Sequence, residues 1–234
     1  MSISPDSIVL FSWGPVHLNA TIAYTWLVMA LLVVGSWLVT RRLSPAIEIG
    51  AGQNLLEVVV ESVQSQIREV SRHAPGRYLP FIGTLFLFIA LSNLLSVVPG
   101  YQPPTGSLST TAALALCVFV AVPLFGVAQQ GPGGYLRQYL QPSPVMLPFN
   151  IIGELSRTLA LAVRLFGNVM SGTMLAGILL AIVPLFFPVI MQALGLIIGL
   201  IQAYVFAILA MVYIASATRA HHGRQERPAG DSEE

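Results

Sequence analysis

The residues most able to do chemistry in this sequence are two arginines inside a long apolar stretch of its C-terminal third. Arg157 and Arg164 are seven residues apart, which puts them on nearly the same face of a helix. A charge at the centre of a membrane helix costs at least about 2.5–3.5 kcal/mol, so such a residue is seldom idle. Because a guanidinium stays charged at physiological pH, Arg164 is suited to pairing with a carboxylate and not to relaying a proton.

The two arginines differ in their depth within that stretch. Arg164 lies near its middle among apolar residues, too deep for its side chain to reach the headgroups. Arg157 lies nearer the start, where a functional charge and a side chain that snorkels to the headgroups are both open interpretations. Glu154 is the only acid in any apolar stretch, and it stands ten residues before Arg164. A charge without a partner in its own chain predicts a carboxylate on another subunit.

Uncharged polar residues accompany Arg164. Asn168 follows it by one turn, and Gln202 lies at the middle of the next apolar stretch, where it can approach Arg164 if the two stretches form a hairpin. A Gln satisfied within the core is the alternative interpretation. Asn93 and Ser96, one turn apart, either line a polar cavity or bond across helices.

Small residues at four-residue spacing around Gln202 predict close packing of the last helix against the helix that carries Arg164. The stripe consists of Gly195, Gly199, Ala203 and Ala207.

The composition indicates an integral membrane protein. Hydrophobic residues make up 55% of the 234 residues and charged residues only 9%, against about 25% charged in soluble domains. No basic stripe indicates nucleic-acid binding, and we expect no cofactor and no metal. The single cysteine, Cys117, excludes an intrachain disulfide.

Apolar runs of about twenty residues are long enough to cross the hydrocarbon of a bilayer. They predict an all-α fold, a single multi-pass membrane domain over residues 1–218 with a tail over 219–234. Between the first two spans, apolar residues at three- and four-residue steps predict an amphipathic helix at the membrane surface. The expected spans are 20–39, 80–98, 110–128, 147–183 and 188–218, and the expected surface helix is 52–72.

The last two spans form a long hairpin in this interpretation. They run unbroken on either side of a short turn at 184–188, and each is roughly 45–50 Å long at 1.5 Å per residue. Since the hydrocarbon is about 30 Å thick, we expect both helices to be steeply tilted. A partner surface is the expected cause of that tilt.

The arginines also predict the topology. The segment between the first two spans, the connector before the hairpin and the tail together hold nine arginines, and the N-terminus and the opposite loops hold none. By the positive-inside rule the N-terminus lies outside and the C-terminus in the cytoplasm.

The stretch from Glu154 to Asn168, with Arg164-Leu165-Phe166-Gly167-Asn168 at its end, resembles the signature of subunit a of F-type ATP synthases. Three further matches occur in the same order along the chain, and the resemblance covers roughly residues 20–220. They are Asn93 with Pro99, Pro148-Phe149-Asn150, and Gln202 within residues 201–206.

The resemblance implies a stator subunit without an ATP site of its own, in a bacterial inner membrane. Its partners would be the c-subunit ring, the b-subunit peripheral stalk and the lipid bilayer. Two offset aqueous half-channels would reach the ring carboxylate, and Arg164 would sit between them. Ion flow, H+ in the first instance, would be coupled through ring rotation to ATP synthesis or hydrolysis.

Two positions depart from the usual pattern of the family. Thr173 stands where many members have a carboxylate, and Gly195 stands where a titratable residue is often found. Protons would then cross the outer path through water, or Na+ would be the coupling ion. The run from Phe166 to Met174 and the short N-terminus are similar to the alternate branch called N-ATPases.

Three other classes of protein compete with this interpretation. An independent channel or transporter would show inverted repeats or interrupted helices, and an intramembrane hydrolase would need a nucleophile with a base in reach. The sequence shows neither pattern. A purely structural anchor leaves Arg164 unexplained.

Overall fold

A computed structural model describes residues 9–13, 16–41, 51–70, 75–98, 100–140, 146–182 and 187–219. Within these ranges the chain is helical apart from one short hairpin and its connections. The six helices are α1 (Ala20–Thr40), α2 (Ala51–Val70), α3 (Leu79–Leu94), α4 (Leu108–Leu140), α5 (Met146–Ile182) and α6 (Phe187–Arg219).

Five of the described helices are long and apolar enough to cross a membrane, as the sequence predicts. The candidate spans are Ala20–Leu38, Leu79–Val97, Leu108–Gly134, Pro148–Ile182 and Val189–Ala217. Helix α2 is the amphipathic exception: Ile67 is buried, while Glu57, Glu61 and Arg68 are exposed. The all-α membrane fold is therefore confirmed.

A two-stranded antiparallel hairpin precedes α1 and was not predicted. Strand β1 (Val9–Trp13) pairs with β2 (Val16–Asn19). The sequence between the strands, Gly14-Pro15, is a typical turn dipeptide. Four or five residues per strand give too short a pattern to distinguish from a leader to the first helix.

Two 3-10 turns and a short loop connect α3 to α4. It begins after Tyr78 with Pro80 in its first turn, and a 3-10 turn, Leu95–Val97, ends it. Gly100 has a φ of 88° in the loop that follows, a conformation that favours glycine. A second 3-10 turn, Pro104–Gly106, is buried against the bundle and leads into α4.

Helix α4 extends beyond the predicted third span. We expected that span to end at residue 128 and a connector to follow, but helix continues on both sides of Gly131 up to Leu140. Gly131 itself is non-helical, with a φ of 75° and a ψ of 161°. Pro132 then begins the second segment, where its missing N–H costs nothing. Glycine and proline at 131–134 therefore kink the helix and do not end it.

Helices α5 and α6 carry the two longest apolar spans, Pro148–Ile182 and Val189–Ala217. The 37 residues of α5 span about 56 Å and the 33 residues of α6 about 50 Å at 1.5 Å per residue. The predicted turn at 184–188 lies largely outside the described residues, and so does the tail from residue 220.

The hydrophobic core lies where α3, α4 and α6 meet. Ile89 on α3, Val118 on α4 and Phe206 on α6 are fully or almost fully buried there. The small-residue stripe of α6 does not face α5 as a unit. Gly199 lies against Asn93 of α3, so this member of the stripe packs on α3, where we expected α5.

Candidate functional site

Arg164 lies at the midpoint of α5 and points away from the bundle. Eighteen residues of the helix precede it and eighteen follow. Its neighbours Leu161 and Leu165 are buried against the other helices, whereas Val163 and Arg164 are exposed on the chain's surface. Because Arg164 is in the middle of a membrane span, this exposure is to the membrane interior or to a partner.

Arg164 and Gln202 line the same open groove, of about 510 Å³, between α5 and α6. Asn168 and Ser171 continue its α5 wall. Gln202 is buried, with 7% of its surface exposed, and its side-chain Nε2 has no hydrogen-bond partner among the described residues. The structure therefore brings together the arginine, the amide of the next helix and Asn168, as the sequence predicts.

A second cavity, of about 290 Å³, adjoins this groove on the side of the 100–103 loop. Asn168, Ser171 and Ile198 line both spaces. The predicted residues Asn93, Ser96 and Thr173 line the cavity too. Its remaining polar side chains are Tyr101, Gln102 and Gln192.

Asn93 and Ser96 form hydrogen bonds across elements as well as lining the cavity. Asn93 Nδ2 donates to the carbonyl of Gly199 at 2.9 Å, and Thr105 Oγ1 donates to Asn93 Oδ1 at 3.0 Å. Gln192 Nε2 donates to the carbonyl of Ser96 at 2.5 Å. Asn93 and Ser96 therefore both line a cavity and form hydrogen bonds between elements.

Arg157 and Glu154 line neither the groove nor the cavity. The guanidinium of Arg157 lies 5.8 Å from the ring centroid of Tyr213 on α6, within the range of a cation–π contact. The backbone carbonyl of Glu154 accepts a hydrogen bond from Thr158 Oγ1 at 2.9 Å. Glu154 and Arg157 lie in the first third of α5, ten and seven residues before Arg164.

The electrostatics of the site are simple. No hydrogen bond, ion pair or ring contact joins the Arg164 side chain to another described residue. The described lining of the second cavity contains no acid, base or histidine. Its one titratable group is the Tyr101 hydroxyl, whose pKa burial raises above the ordinary value of 10.0. The cavity is therefore neutral and polar at physiological pH.

The described residues contain no cluster of histidine, cysteine and acidic side chains able to hold a metal. They offer instead a fixed cation beside neutral hydrogen-bonding groups. Such a set can attract and orient an anion or hold water.

Three lining residues were not singled out from the sequence. Gln192 is a polar residue inside an apolar span, and that contrast was a usable signal. Tyr101 and Gln102 lie in a loop next to Pro103-Pro104, where no periodicity shows which way a side chain faces. Only the fold identifies them.

Together the fold and the site define a multi-pass helical membrane protein in which a mid-span arginine, without a partner among the described residues, lies beside a cavity lined in part by polar side chains. A family model described as ATP synthase A chain matches residues 22–215. The chain belongs to this family.

Curated relatives agree over nearly the whole length. The chain is 67% identical to ATP synthase subunit a 2 of Acaryochloris marina over 219 residues, 94% of each chain. It is 60% identical to ATP synthase subunit a of Albidiferax ferrireducens, with 97% of each chain covered. A third relative, ATP synthase subunit a 1 of Chlorobaculum parvum, is 62% identical over 94% of this chain and 97% of its own.

Proposed function

We propose that this chain is the membrane-embedded stator subunit of a rotary ATP synthase, and that it carries ions to and from a carboxylate on a ring of c subunits. The observation that carries the proposal is Arg164, which stands at the midpoint of α5, faces outward and has no partner among the described residues. The name shared by the curated relatives supports the same role.

The ring carboxylate is the partner that the arginine's chemistry requires. Two unit charges about 4 Å apart attract by about 4 kcal/mol at an effective dielectric constant of 20. A protonated carboxyl group that reaches Arg164 would therefore lose its proton to water and pair with the guanidinium. It would regain a proton only after moving past the arginine. Arg164 itself keeps its charge throughout.

The cavity beside the groove supplies one of the two half-channels in this proposal. It extends from the 100–103 loop to Asn168, and Asn168 also borders Arg164. Hydroxyl and amide groups on its wall can hold ordered water. Since its described wall has no acid, base or histidine, protons would cross it through water. The fixed charge of Arg164 would stop them from continuing directly to the other side.

Most of the α5 surface is exposed, which leaves it available to a large partner. In an apolar 18-residue stretch of α5, only 6% is buried against the rest of the chain, compared with 39% in the corresponding stretch of α6. The remaining face of α5 carries Arg164 and large apolar side chains such as Leu159 and Ile178. A ring of helices would cover this face, and lipid and the b-subunit stalk would cover others.

Orientation follows from the distribution of arginine. The N-terminus and the 100–107 loop would face the periplasm, and the C-terminal tail the cytoplasm, in a bacterial inner membrane. The cavity would then be the periplasmic half-channel. The chain itself would not bind or hydrolyse ATP, since the catalytic head is a separate part of the complex.

The coupling ion in this proposal is H+, and Na+ is the second candidate. The specific observation in favour of Na+ is the presence of neutral oxygen-bearing side chains on the cavity wall, among them Ser96, Gln102 and Thr173. Hydroxyl and amide oxygens are ligands that suit hard cations. The ring carboxylate's own surroundings would decide between the two ions.

The test is reconstitution of the complete complex in liposomes with an internal pH dye. We expect ATP-driven acidification that an uncoupler abolishes and that does not depend on Na+. Uptake of ²²Na+ that persists with the uncoupler would identify Na+ as the ion.

The same preparation tests the arginine. Arg164→Ala is expected to abolish ATP-driven transport while the complex still assembles. Thr84→Val, a change at an exposed residue of α3, is the control. Pumping by Arg164→Ala at the level of that control would refute the proposed role.

A further inference from the structure

We infer that Asn93 is a positioning residue: its side-chain amide fixes α6 against α3 at the register that sets Gln202 beside Arg164. The inference rests on the proposed function, because it names what keeps that site assembled. Asn93 lines the neighbouring cavity and does not line the groove that Arg164 and Gln202 share, so we expect it to act on the groove through the position of α6.

Both the NH2 group and the carbonyl oxygen of the Asn93 side chain form hydrogen bonds. Its Nδ2 donates to the Gly199 carbonyl on α6 at 2.9 Å, and its Oδ1 accepts from Thr105 at 3.0 Å. Asn93 is 4% exposed and Thr105 fully buried. An amide with a donor bond on one side and an acceptor bond on the other cannot turn over without losing both. Its orientation toward α6 is therefore fixed.

Gly199 lets α6 come this close. A Cβ atom added to it would lie 2.9 Å from Asn93 Cβ and 3.0 Å from Asn93 Cγ. Those atoms are near the α3 backbone and cannot swing aside as the end of a long side chain would. Any larger residue at 199 would push the two helices apart. Gln202 follows Gly199 by three residues, on the same face of α6, so a shift at Gly199 moves Gln202 as well.

A second side-chain amide hydrogen bond joins α6, nearer its start, to the 3-10 turn Leu95–Val97 that follows α3. Gln192 Nε2 donates to the Ser96 carbonyl at 2.5 Å, and Ser96 Oγ donates to the Asn93 carbonyl at 2.6 Å. Gln192 precedes Gly199 by seven residues, about two turns along α6. Two bonds at different heights oppose both sliding and rotation of α6. The buried Asn93–Gly199 bond also gains strength from the low dielectric of its surroundings.

Asn93→Leu tests the inference, since leucine has a similar volume but neither donates nor accepts. ATP-driven pumping by the reconstituted complex is measured alone and in a Gln202→Leu background. We expect a fall of about tenfold in the first case and under about twofold in the second, because residues that act through one another are not additive. The amount of assembled complex is expected to stay at the level of the Thr84→Val control.

Equal fold losses in the two backgrounds would overturn the inference, and so would normal pumping by Asn93→Leu. If Asn93→Leu does not assemble, Gly199→Ala replaces it in the same cycle. That change leaves Asn93 intact and alters only the approach of α6, and the same two outcomes decide.

The Arg164→Ala result separates this inference from the proposed function. Loss of pumping by Arg164→Ala together with additive effects of Asn93→Leu and Gln202→Leu would overturn the positioning role alone. Normal pumping by Arg164→Ala would overturn the proposed function as well.

Discussion

The permanent charge of Arg164 is what distinguishes this chain from a set of packed apolar helices. A carboxylate or a lysine at this depth would change its protonation state to escape the cost of burial. A guanidinium does not, because it remains protonated at any physiological pH. Its insertion cost of at least about 2.5–3.5 kcal/mol is offset when an anion pairs with it or when water reaches it.

Gln202 is expected to matter less than Arg164. Its amide is neutral, so Gln202→Leu removes a hydrogen-bonding group from the groove but leaves the fixed charge in place. We predict that Gln202→Leu retains partial ATP-driven pumping in liposomes where Arg164→Ala retains none. The reverse order of the two variants would contradict the role given to the charge.

Arg157 offers a matched comparison within the same helix. It lies outside the groove, and its contact with the Tyr213 ring, at 5.8 Å, is worth about 0.5–1 kcal/mol at an exposed site. We predict that Arg157→Ala keeps more than about half of wild-type pumping, since a contact of that size affects stability and not charge transfer. A loss as complete as that of Arg164→Ala would show that Arg157 belongs to the ion path.

At this scale the sequence indicates the residues that are unusual for their surroundings. Arg164 and Gln202 stand out because polar groups in an apolar run are costly. Tyr101 carries no such signal, since a tyrosine in a loop next to proline is ordinary. Its place in the cavity depends on how the loop returns over the bundle, which no local pattern encodes.

At the scale of secondary-structure elements, α4 shows how a glycine can kink a helix. Gly131 has a φ of 75° between two helical segments, and just before it Gln130 Nε2 donates to the Ala217 carbonyl near the end of α6 at 3.0 Å. Gln129, next to it, is hydrogen-bonded to the hydroxyl of Tyr78. The kink lies next to the contacts that join α4 to α3 and α6.

We predict that Gly131→Ala destabilises the protein by about 1–3 kcal/mol, because a φ of 75° with a ψ of 161° lies in a region that is essentially restricted to glycine. Gly133→Ala is the control, since Gly133 has helical geometry and open space around it. Thermal unfolding of the detergent-solubilised protein measures both. Equal melting temperatures for the two variants would contradict the strain argument.

The presence of a helix could be predicted wherever an apolar run is long enough to cross the membrane. The residues at which helices end were harder to predict. The third span was expected to stop at residue 128, because glycine and proline usually end helices. Here Pro132 starts a new helical segment directly after Gly131. The β1–β2 hairpin was missed because its strands are too short for alternation to be visible.

For the whole molecule, charge distribution and surface exposure indicate how the chain sits in its complex. All the arginines outside the spans belong to segments on one predicted side of the membrane. Helix α5 is the least buried of the candidate spans, so in the membrane most of its surface is left to lipid or to a partner.

The predicted orientation has a direct test. In a Cys117→Ser background, Ser2→Cys is expected to react with an impermeant maleimide added to intact spheroplasts, and Ser232→Cys only after lysis. Labelling of Ser232→Cys from outside would place the C-terminus on the periplasmic side and make the polar cavity the cytoplasmic half-channel.

The most direct test of the central claim is a structure of the assembled complex in a membrane, in which the nearest carboxylate to the Arg164 guanidinium is identified. We predict a carboxylate of a c subunit within direct or single-water contact as that subunit passes α5. A guanidinium surrounded by bulk water, or paired with an acid of its own chain, would contradict the account.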